Sequence, residues 1–216
     1  MKKSQIFLIF YTGLSMAFFP FAFAEDTIPF APKVDYPTGN YPFFVTASDL
    51  DQDGDRDLAV ANFNNFSPGS ISVLRNNGDG TFAAKVDYEV GNGPFEVFAA
   101  DIDADGDNDL IAPNCHSANF SVLKNNGYGT FAPRVDYYTG PSQPSSVSAV
   151  DLDKDTDLDL AIVDRDDKVL IYKNDGSGAF GTTLNYGTGN GPFSVFISDL
   201  DGDTDKDMAV TNLQSN

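Results

Sequence analysis

The sequence predicts an all-β protein, a β-propeller built of four-stranded antiparallel blades, of which about three and a half are present. Three observations indicate this fold. An aspartate-rich motif begins at Asp49, Asp101, Asp151 and Asp199, so the spacings are 52, 50 and 48 residues. Each unit holds four short segments with strand-like patterns, and no window has a convincing helical period. A repeat of about 50 residues with four strands matches one propeller blade.

The first strand of each unit precedes the aspartate motif and the second follows it. PFFVTAS from Pro42 alternates with a period of two, and PFEVFAA, PSSVSAV and PFSVFIS take its place from Pro94, Pro144 and Pro192. The second segments, LAVAN, LIAPN, LAIVD and MAVTN, are short apolar runs typical of strands that are covered on both faces. The aspartate motif is therefore a loop between two strands.

The third and fourth strands are joined by glycine-containing turns. SISVLRNN, NFSVLKNN and KVLIYKND lead into the turns at Asn76, Asn125 and Asn174, and Asn-Gly and Asp-Gly pairs predict hairpins there. A phosphate-binding loop is disfavoured because no Lys-Ser/Thr pair follows and no helix opens. A single blade cannot bury both faces, so the blades are expected to stack around an axis. The units are residues 34–85, 86–134, 135–183 and, in part, 184–216.

The N-terminus predicts export. Lys2 and Lys3 precede an apolar segment at 6–19, and Ala22-Phe23-Ala24 forms a small-x-small cleavage site. This pattern is typical of a secretory signal peptide over residues 1–24, although an uncleaved membrane anchor shares part of it. We expect residues 25–216 to be secreted to the extracellular space or cell surface, or to the periplasm, with no membrane span after cleavage.

The charge is strongly acidic and local. The formal net charge is −19, and 20 of the 32 acidic residues lie in the four aspartate loops. Nucleic acids and anionic membranes are therefore poor partners. Such a concentration of carboxylates indicates binding of cations.

The spacing inside each loop favours calcium. Counting from the first aspartate, carboxylates fall at positions 1, 3, 5 and 9, and alternate side chains of a tight loop converge on one point. A fifth aspartate at position 7 should point outward and offer its main-chain oxygen, and the position-9 carboxylate could bind with both oxygens. An EF-hand is excluded because position 12 is apolar and the flanking segments are strands. A solvated aspartate turn is the plainer alternative, disfavoured by four complete copies.

This combination of loop, strands and period resembles FG-GAP/VCBS-type repeats, the blades of the propeller in integrin α subunits and in many secreted bacterial proteins. The resemblance covers nearly all of the chain after the signal peptide. It implies up to four structural Ca²⁺ ions. The side-chain ligands that it implies are Asp49, Asp51, Asp53 and Asp57; Asp101, Asp103, Asp105 and Asp109; Asp151, Asp153, Asp155 and Asp159; and Asp199, Asp201, Asp203 and Asp207. Main-chain oxygens of Asp55, Asp107, Asp157 and Asp205 complete the sets.

Two features depart from a regular array. Position 6 is Gly54 and Gly106 in the first two loops but Thr156 and Thr204 in the last two. A β-branched residue is costly there if the backbone needs a positive φ, so the last two sites are expected to be weaker.

The second departure is incompleteness. The segment from Thr27 resembles an outer strand, and the last unit stops after two strands. We therefore expect a fragment of a longer protein, or an open arc that self-associates through faces lined by Val45, Val60 and Val210.

The resemblance implies a non-catalytic binding or adhesion scaffold for a protein or a glycan. One His, one Cys and no Trp leave few candidates for catalysis, and Cys115 with His116 is expected to be a half-buried thiol beside a surface histidine. Two alternatives stay open: the propeller portion of a secreted hydrolase or lyase, and a purely structural surface or matrix protein.

Overall fold

The computed structural model describes residues 4–8, 30–64 and 67–214. Most of the expected signal peptide, with its cleavage site, lies outside these residues. Within them every regular element is a strand. The described part of the chain has no helix long and apolar enough to cross a membrane. The strands are β1 (Ser4–Leu8), β2 (Phe30–Asp35), β3 (Pro42–Ser48), β4 (Asp57–Asn62), β5 (Pro68–Leu74), β6 (Val86–Asn92), β7 (Phe98–Ala100), β8 (Asp109–Asn114), β9 (Asn119–Leu123), β10 (Val135–Tyr138), β11 (Pro144–Val150), β12 (Asp159–Asp164), β13 (Lys168–Asn174), β14 (Phe180–Gly187), β15 (Pro192–Ser198) and β16 (Asp207–Asn212).

The strands form the predicted blades. Three antiparallel sheets have four strands each, in the orders β3-β4-β5-β6, β7-β8-β9-β10 and β11-β12-β13-β14, and β15 pairs with β16 alone. We call these sheets blades 1 to 4. The sheets are not closed into a ring, and β1 pairs with β2 in parallel. The all-β fold of four-stranded blades is confirmed.

The register places each aspartate loop between the two inner strands of a blade. Ser48 pairs with Asp57 in blade 1, and Ser198 pairs with Asp207 in blade 4. Position 9 of every loop is therefore the first residue of the second strand. The first strand of blade 2 is shorter than predicted, because Pro94 makes only an isolated bridge to Asn114. The side chain of Glu96 instead accepts a hydrogen bond from Val147 N of blade 3, at 3.0 Å.

Neighbouring blades pack face to face through a repeated set of side chains. Ala59 and Ile71 of blade 1 lie in one cluster with Leu110 and Leu123 of blade 2, and corresponding clusters join blades 2 and 3 and blades 3 and 4. A tyrosine ring meets a phenylalanine ring of the following blade at three places: from the segment after β2 to blade 1, from blade 1 to blade 2, and from blade 2 to blade 3. The pairs are Tyr36–Phe82 at 5.3 Å, Tyr88–Phe131 at 5.1 Å and Tyr137–Phe180 at 5.5 Å between centroids.

Three valines were predicted to line open faces of the blades, and two of them do not line such a face. Val60 is 1% exposed, because it packs with Leu74 and Phe82 beneath Tyr36. Val210 is half-buried, because it points toward blade 3. Val45 is 47% exposed, as predicted.

Candidate functional site

The four aspartate loops are held in one conformation by the same backbone hydrogen bonds. The position-1 carboxylate accepts the N–H of position 6, as from Gly54 to Asp49 at 3.0 Å. The position-5 carboxylate accepts the N–H of position 7, as from Asp55 to Asp53 at 2.8 Å. Equivalent bonds recur in loops 2, 3 and 4. The aspartates therefore shape the loop as well as charge it.

The position-9 carboxylate fixes each loop to the rest of its blade. In blade 1, Asp57 accepts the N–H of Leu50 at 2.9 Å and that of Asn76, in the turn after the third strand, at 2.7 Å. Asp109 and Asp159 make the same two bonds. All three are at most 1% exposed. Binding of a cation by both oxygens of position 9 stays a prediction.

Two residues of each loop, at positions 4 and 6, have a positive φ. Position 6 has φ of 88° at Gly54, 94° at Gly106, 81° at Thr156 and 77° at Thr204. This confirms the conformation expected there. Position 4 also has positive φ in every loop, although three of its four residues are not glycine. Loops 3 and 4 hold a β-branched residue in a conformation that such residues rarely adopt.

The carboxylates converge as the spacing predicted. Oxygens lie within 4.8 Å of one another in each of four groups. Three groups unite positions 1, 3 and 5, and the second loop unites positions 1, 3 and 9. The groups are Asp49, Asp51 and Asp53; Asp101, Asp103 and Asp109; Asp151, Asp153 and Asp155; and Asp199, Asp201 and Asp203. They do not include Asp57, Asp105, Asp159 or Asp207.

Buried oxygens in the first two loops fit a hard cation. Oδ1 of Asp49, Asp51 and Asp103 has no hydrogen-bond partner in the described residues and is shielded from water. A buried charged acceptor without a partner costs a few kcal/mol, of the order of 1–3 or more. Calcium takes six to eight oxygen ligands, whereas zinc sites favour sulfur and nitrogen. A group made only of carboxylates therefore fits calcium.

In each of the three complete blades a basic residue pairs with the position-3 aspartate of the loop. This pairing was not predicted from the sequence. Lys124 Nζ lies 2.9 Å from Asp103 Oδ2, Arg75 lies 4.0 Å from Asp51, and Lys173 pairs with Asp153. The carboxylate of Asp103 raises the pKa of Lys124. The signal was present, since each basic residue stands directly before the Asn-Asn or Asn-Asp of the hairpin turn.

Burial disfavours the ionised form of the position-9 carboxylate in the first three loops. Desolvation raises the pKa of Asp109 to about 7, and the nearby Asp103 and Asp105 carboxylates add to this effect. Burial likewise raises the pKa of Asp57 and Asp159. A cation within the cluster would oppose both causes, because it supplies the missing positive charge.

Position 7 bonds to the preceding loop in two of the four loops, and at Asp107 this corrects the outward orientation that was predicted. Asp107 is 9% exposed and accepts a hydrogen bond from Gln52, which is position 4 of the preceding loop. Lys154 and Asp205 repeat this link between loops 3 and 4 at 2.7 Å, where both side chains are exposed. Position 4 of the second loop is Ala104, whose side chain cannot make this bond.

An aromatic cluster lies at the end of the blades opposite the aspartate loops, where first strands begin and second strands end. Phe43 lies 4.9 Å from Phe95 and 6.0 Å from Phe63, and Phe95 lies 6.2 Å from Phe193, between ring centroids. His116 packs on Phe63 at 5.0 Å. Phe43 is 54% exposed, so the cluster presents a ring to solvent.

Cys115 is more deeply buried than predicted. It is 2% exposed, whereas His116 beside it is exposed. Burial raises the pKa of the Cys115 thiol to about 12. A thiol with this pKa is a poor nucleophile near neutral pH.

The solved structures that resemble the chain include the following three. BBS1N, described in complex with ARL6DN, gives a TM-score of 0.53 at 13% identity over 74% of this chain and 49% of that chain. A Photorhabdus luminescens Tc holotoxin pore gives 0.49 at 21% identity, over 79% and 8%. An Agrocybe aegerita lectin that recognises non-reducing terminal N-acetylglucosamine gives 0.47 at 20%, over 86% and 66%. The chain thus spans about half the length of the BBS1N chain, and that likeness supports a propeller-like fold.

No curated protein matches the sequence. The profile of the FG-GAP-like repeat matches three times, at residues 49–112, 101–162 and 151–210. Each match runs from one aspartate loop into the second strand of the next blade, so the repeat identified from the loops is the repeat of the family. Since these matches cover most of the sequence, the chain belongs to the FG-GAP-like repeat family.

Proposed function

We propose that the protein is a secreted, calcium-stabilised repeat module that acts as a non-catalytic binding or adhesion scaffold for a protein or a glycan. The observation that carries the calcium part is the convergence of three carboxylates in every loop, with partnerless buried oxygens in the first two. Under this proposal residues 1–24 are removed on export.

The calcium would have a structural role. Asp49, Asp51 and Asp53 would hold it in the first loop, with corresponding aspartates in the others, and the ion would supply positive charge where burial now disfavours ionised carboxylates. Because each loop joins the two inner strands of a blade, ordering it stabilises the blade. Binding to the folded state alone adds about 1.4 kcal/mol per site for each tenfold of free calcium above the dissociation constant.

Thermal unfolding tests the calcium role. We expect the Tm to fall in EDTA and to rise as calcium is returned, with protease sensitivity changing in the opposite sense. Asp103→Asn should weaken this response, whereas Asp166→Asn, at an exposed aspartate outside the loops, should not. A Tm that is the same in EDTA and in about 5–10 mM calcium, a range that saturates weak extracellular sites, would contradict the proposal.

The aromatic cluster supports the scaffold role. Exposed aromatic rings dominate many binding interfaces, because they bury a large apolar area with little loss of conformational freedom. Phe43 is exposed, and its ring packs against the rings of Phe63 and Phe95, which restrict its movement.

Binding assays separate the scaffold from its alternatives. We expect a glycan array or a pull-down to give a ligand whose binding is lost in Phe43→Ala and retained in Tyr128→Ala, an exposed ring in a hairpin turn. No ligand in either assay would favour a purely structural role. Turnover of a glycan in a hydrolase panel would favour an enzyme. A mature N-terminus that does not begin near Glu25 would contradict export by signal cleavage.

A further inference from the structure

The side chain of Gln52 ties loop 1 to loop 2. Its amide, at position 4 of loop 1, donates to Gly106 O at 3.3 Å and to the carboxylate of Asp107. These two residues are positions 6 and 7 of loop 2, and the main-chain oxygen of Asp107 is a ligand that the family resemblance implies. Gln52 therefore restrains the part of loop 2 from which a main-chain ligand is expected.

A second side chain makes a tie in the opposite direction. The amide of Asn108, position 8 of loop 2, donates to Ser48 Oγ at 2.9 Å and to Asp49 O at 3.3 Å. Asp49 is position 1 of loop 1, and its Oδ1 is one of the buried oxygens without a hydrogen-bond partner in the described residues. Each of these two loops thus holds a segment of the other that belongs to a proposed calcium site.

The junction between loops 2 and 3 has neither of these side chains. Position 4 of loop 2 is Ala104 and position 8 of loop 3 is Leu158, and neither side chain can donate a hydrogen bond. The hairpin asparagine that donates to the preceding loop is present at both junctions, as Asn125 and as Asn174. The two junctions therefore share this contact and differ in the bonds that join one aspartate loop directly to the next.

We propose that loops 1 and 2 bind calcium as a coupled pair, whereas loop 3 binds it separately from loop 2. This inference rests on the calcium role proposed above. An ion that orders loop 1 also orders, through Gln52 and Asn108, the segments of loop 2 that these side chains hold. The second ion then loses less conformational entropy when it binds, which is positive coupling between the sites. By linkage, either ion strengthens the binding of the other by the same factor.

Electrostatic interaction between the loops acts in the opposite sense. The first ion cancels part of the negative charge of its own loop, so that loop attracts a second ion to its neighbour less strongly. Salt screens this effect, since the Debye length is roughly 4 Å at about 0.5 M. Binding at that salt concentration therefore reports the hydrogen-bonded coupling. The same salt weakens the exposed pair of Lys154 and Asp205, so the comparison is confined to loops 1, 2 and 3.

A calcium titration followed by hydrogen exchange tests the coupling in the full chain, expressed from Met1. Exchange of the amides in each loop gives a calcium midpoint for that loop alone. Asp53→Ala, which removes the first site, should raise the midpoint of loop 2 about fivefold and leave that of loop 3 unchanged. Fivefold is the low end of the range for coupled sites, which is expected because Gln52 is exposed. Asp155→Ala, which removes the third site, should leave the midpoint of loop 2 unchanged.

Two substitutions copied from the other loops should remove the coupling. Gln52→Ala copies position 4 of loop 2, and Asn108→Leu copies position 8 of loop 3, so the loop conformation accepts both residues. In a chain with both changes, the midpoint of loop 2 should no longer respond to Asp53→Ala. Gln143→Ala, at an exposed glutamine beyond the opposite end of the blades, is the matched control and should keep the response.

The outcomes separate the coupling from the calcium role. If every loop responds to calcium but Asp53→Ala leaves the midpoint of loop 2 unchanged, the coupling is wrong and the calcium role stands. A response of loop 2 that persists in the chain with Gln52→Ala and Asn108→Leu would also overturn the coupling, because these two side chains would not carry it. If no loop of the unchanged chain responds to calcium, both proposals fail.

Discussion

Replacing the position-6 threonines with glycine should stabilise the protein. Thr156 and Thr204 have φ of 81° and 77°, in the region that favours glycine. A non-glycine residue held there costs about 1–3 kcal/mol, and glycine loses about 0.5–1 kcal/mol in the entropy of the unfolded chain. The net gain should be about 1 kcal/mol per loop, which raises the Tm of a chain of this size by roughly 2–4 °C.

The first two loops supply the reverse experiment. A Cβ added at Gly54 meets nothing within 4 Å, and one at Gly106 meets only Gln52 Nε2, at 3.9 Å. Any loss of stability in Gly54→Thr therefore measures backbone strain without a clash. Gly181→Thr is the matched control, because its Cβ is equally unobstructed and its φ is ordinary. We expect Gly54→Thr to lower the Tm and Gly181→Thr to leave it nearly unchanged.

Calorimetry then tests whether the strain affects calcium. If a threonine loop relaxes without the ion, binding must restore the strain, and each 1.4 kcal/mol or so weakens affinity about tenfold. We expect Asp53→Ala to remove a tighter class of sites and Asp155→Ala a weaker one. Loss of the tighter class in Asp155→Ala, or equal Tm changes in Gly54→Thr and Gly181→Thr, would refute the reasoning.

Three further predictions concern charges around the loops. Because the pKa of Asp109 is raised to about 7, from 3.8, the metal-free fold favours its protonated form. The stability that the fold gains from protonation of Asp109 is fully present below a pH of about 4 and is lost as the pH rises through 7. The Tm in EDTA should therefore fall between about pH 5 and 8. It should fall less in Asp109→Asn, which lacks the titrating carboxyl group. Lys124→Gln should lower the metal-free Tm and tighten calcium binding several-fold in low salt, because Lys124 pairs with Asp103, one of the ligands in the proposed site. Weaker calcium binding in this variant would contradict the competition between Lys124 and calcium for Asp103. Ala104→Lys should add the missing link to Asp157 and gain about 0.5 kcal/mol in low salt, a gain that high salt should remove.

The blades could be predicted from the sequence because their signals are local. Alternating first strands, apolar second strands and Asn-Gly turns each specify a structure within about ten residues, and the repeat of about 50 residues specifies that the units stack. The positive φ at position 6 was predictable because Gly54 and Gly106 stand there.

The remaining features depend on contacts between residues that are far apart in the chain. Val60 was expected to be open, but Tyr36, 24 positions earlier, covers it. Asp107 was expected to point outward, but Gln52 of the preceding loop binds it. The pairing of Lys124 with Asp103 joins residues 21 positions apart, which alternation within a strand does not reveal. The first two require the packing of one blade on its neighbour, which the repeat length alone leaves open, and the third requires the folding of the aspartate loop against the end of the third strand in its own blade.

The edge-to-face contact of a tyrosine with the next blade makes the protein its own optical probe. The chain has no tryptophan, so tyrosine fluorescence is not quenched by energy transfer to an indole. Tyr36, Tyr88 and Tyr137 each stand at a different junction. If two of the three are changed to phenylalanine, one junction tyrosine is left. Its emission then reports on that junction, against the background of the less constrained tyrosines elsewhere in the chain. The order in which the blades separate could then be followed without attaching a dye.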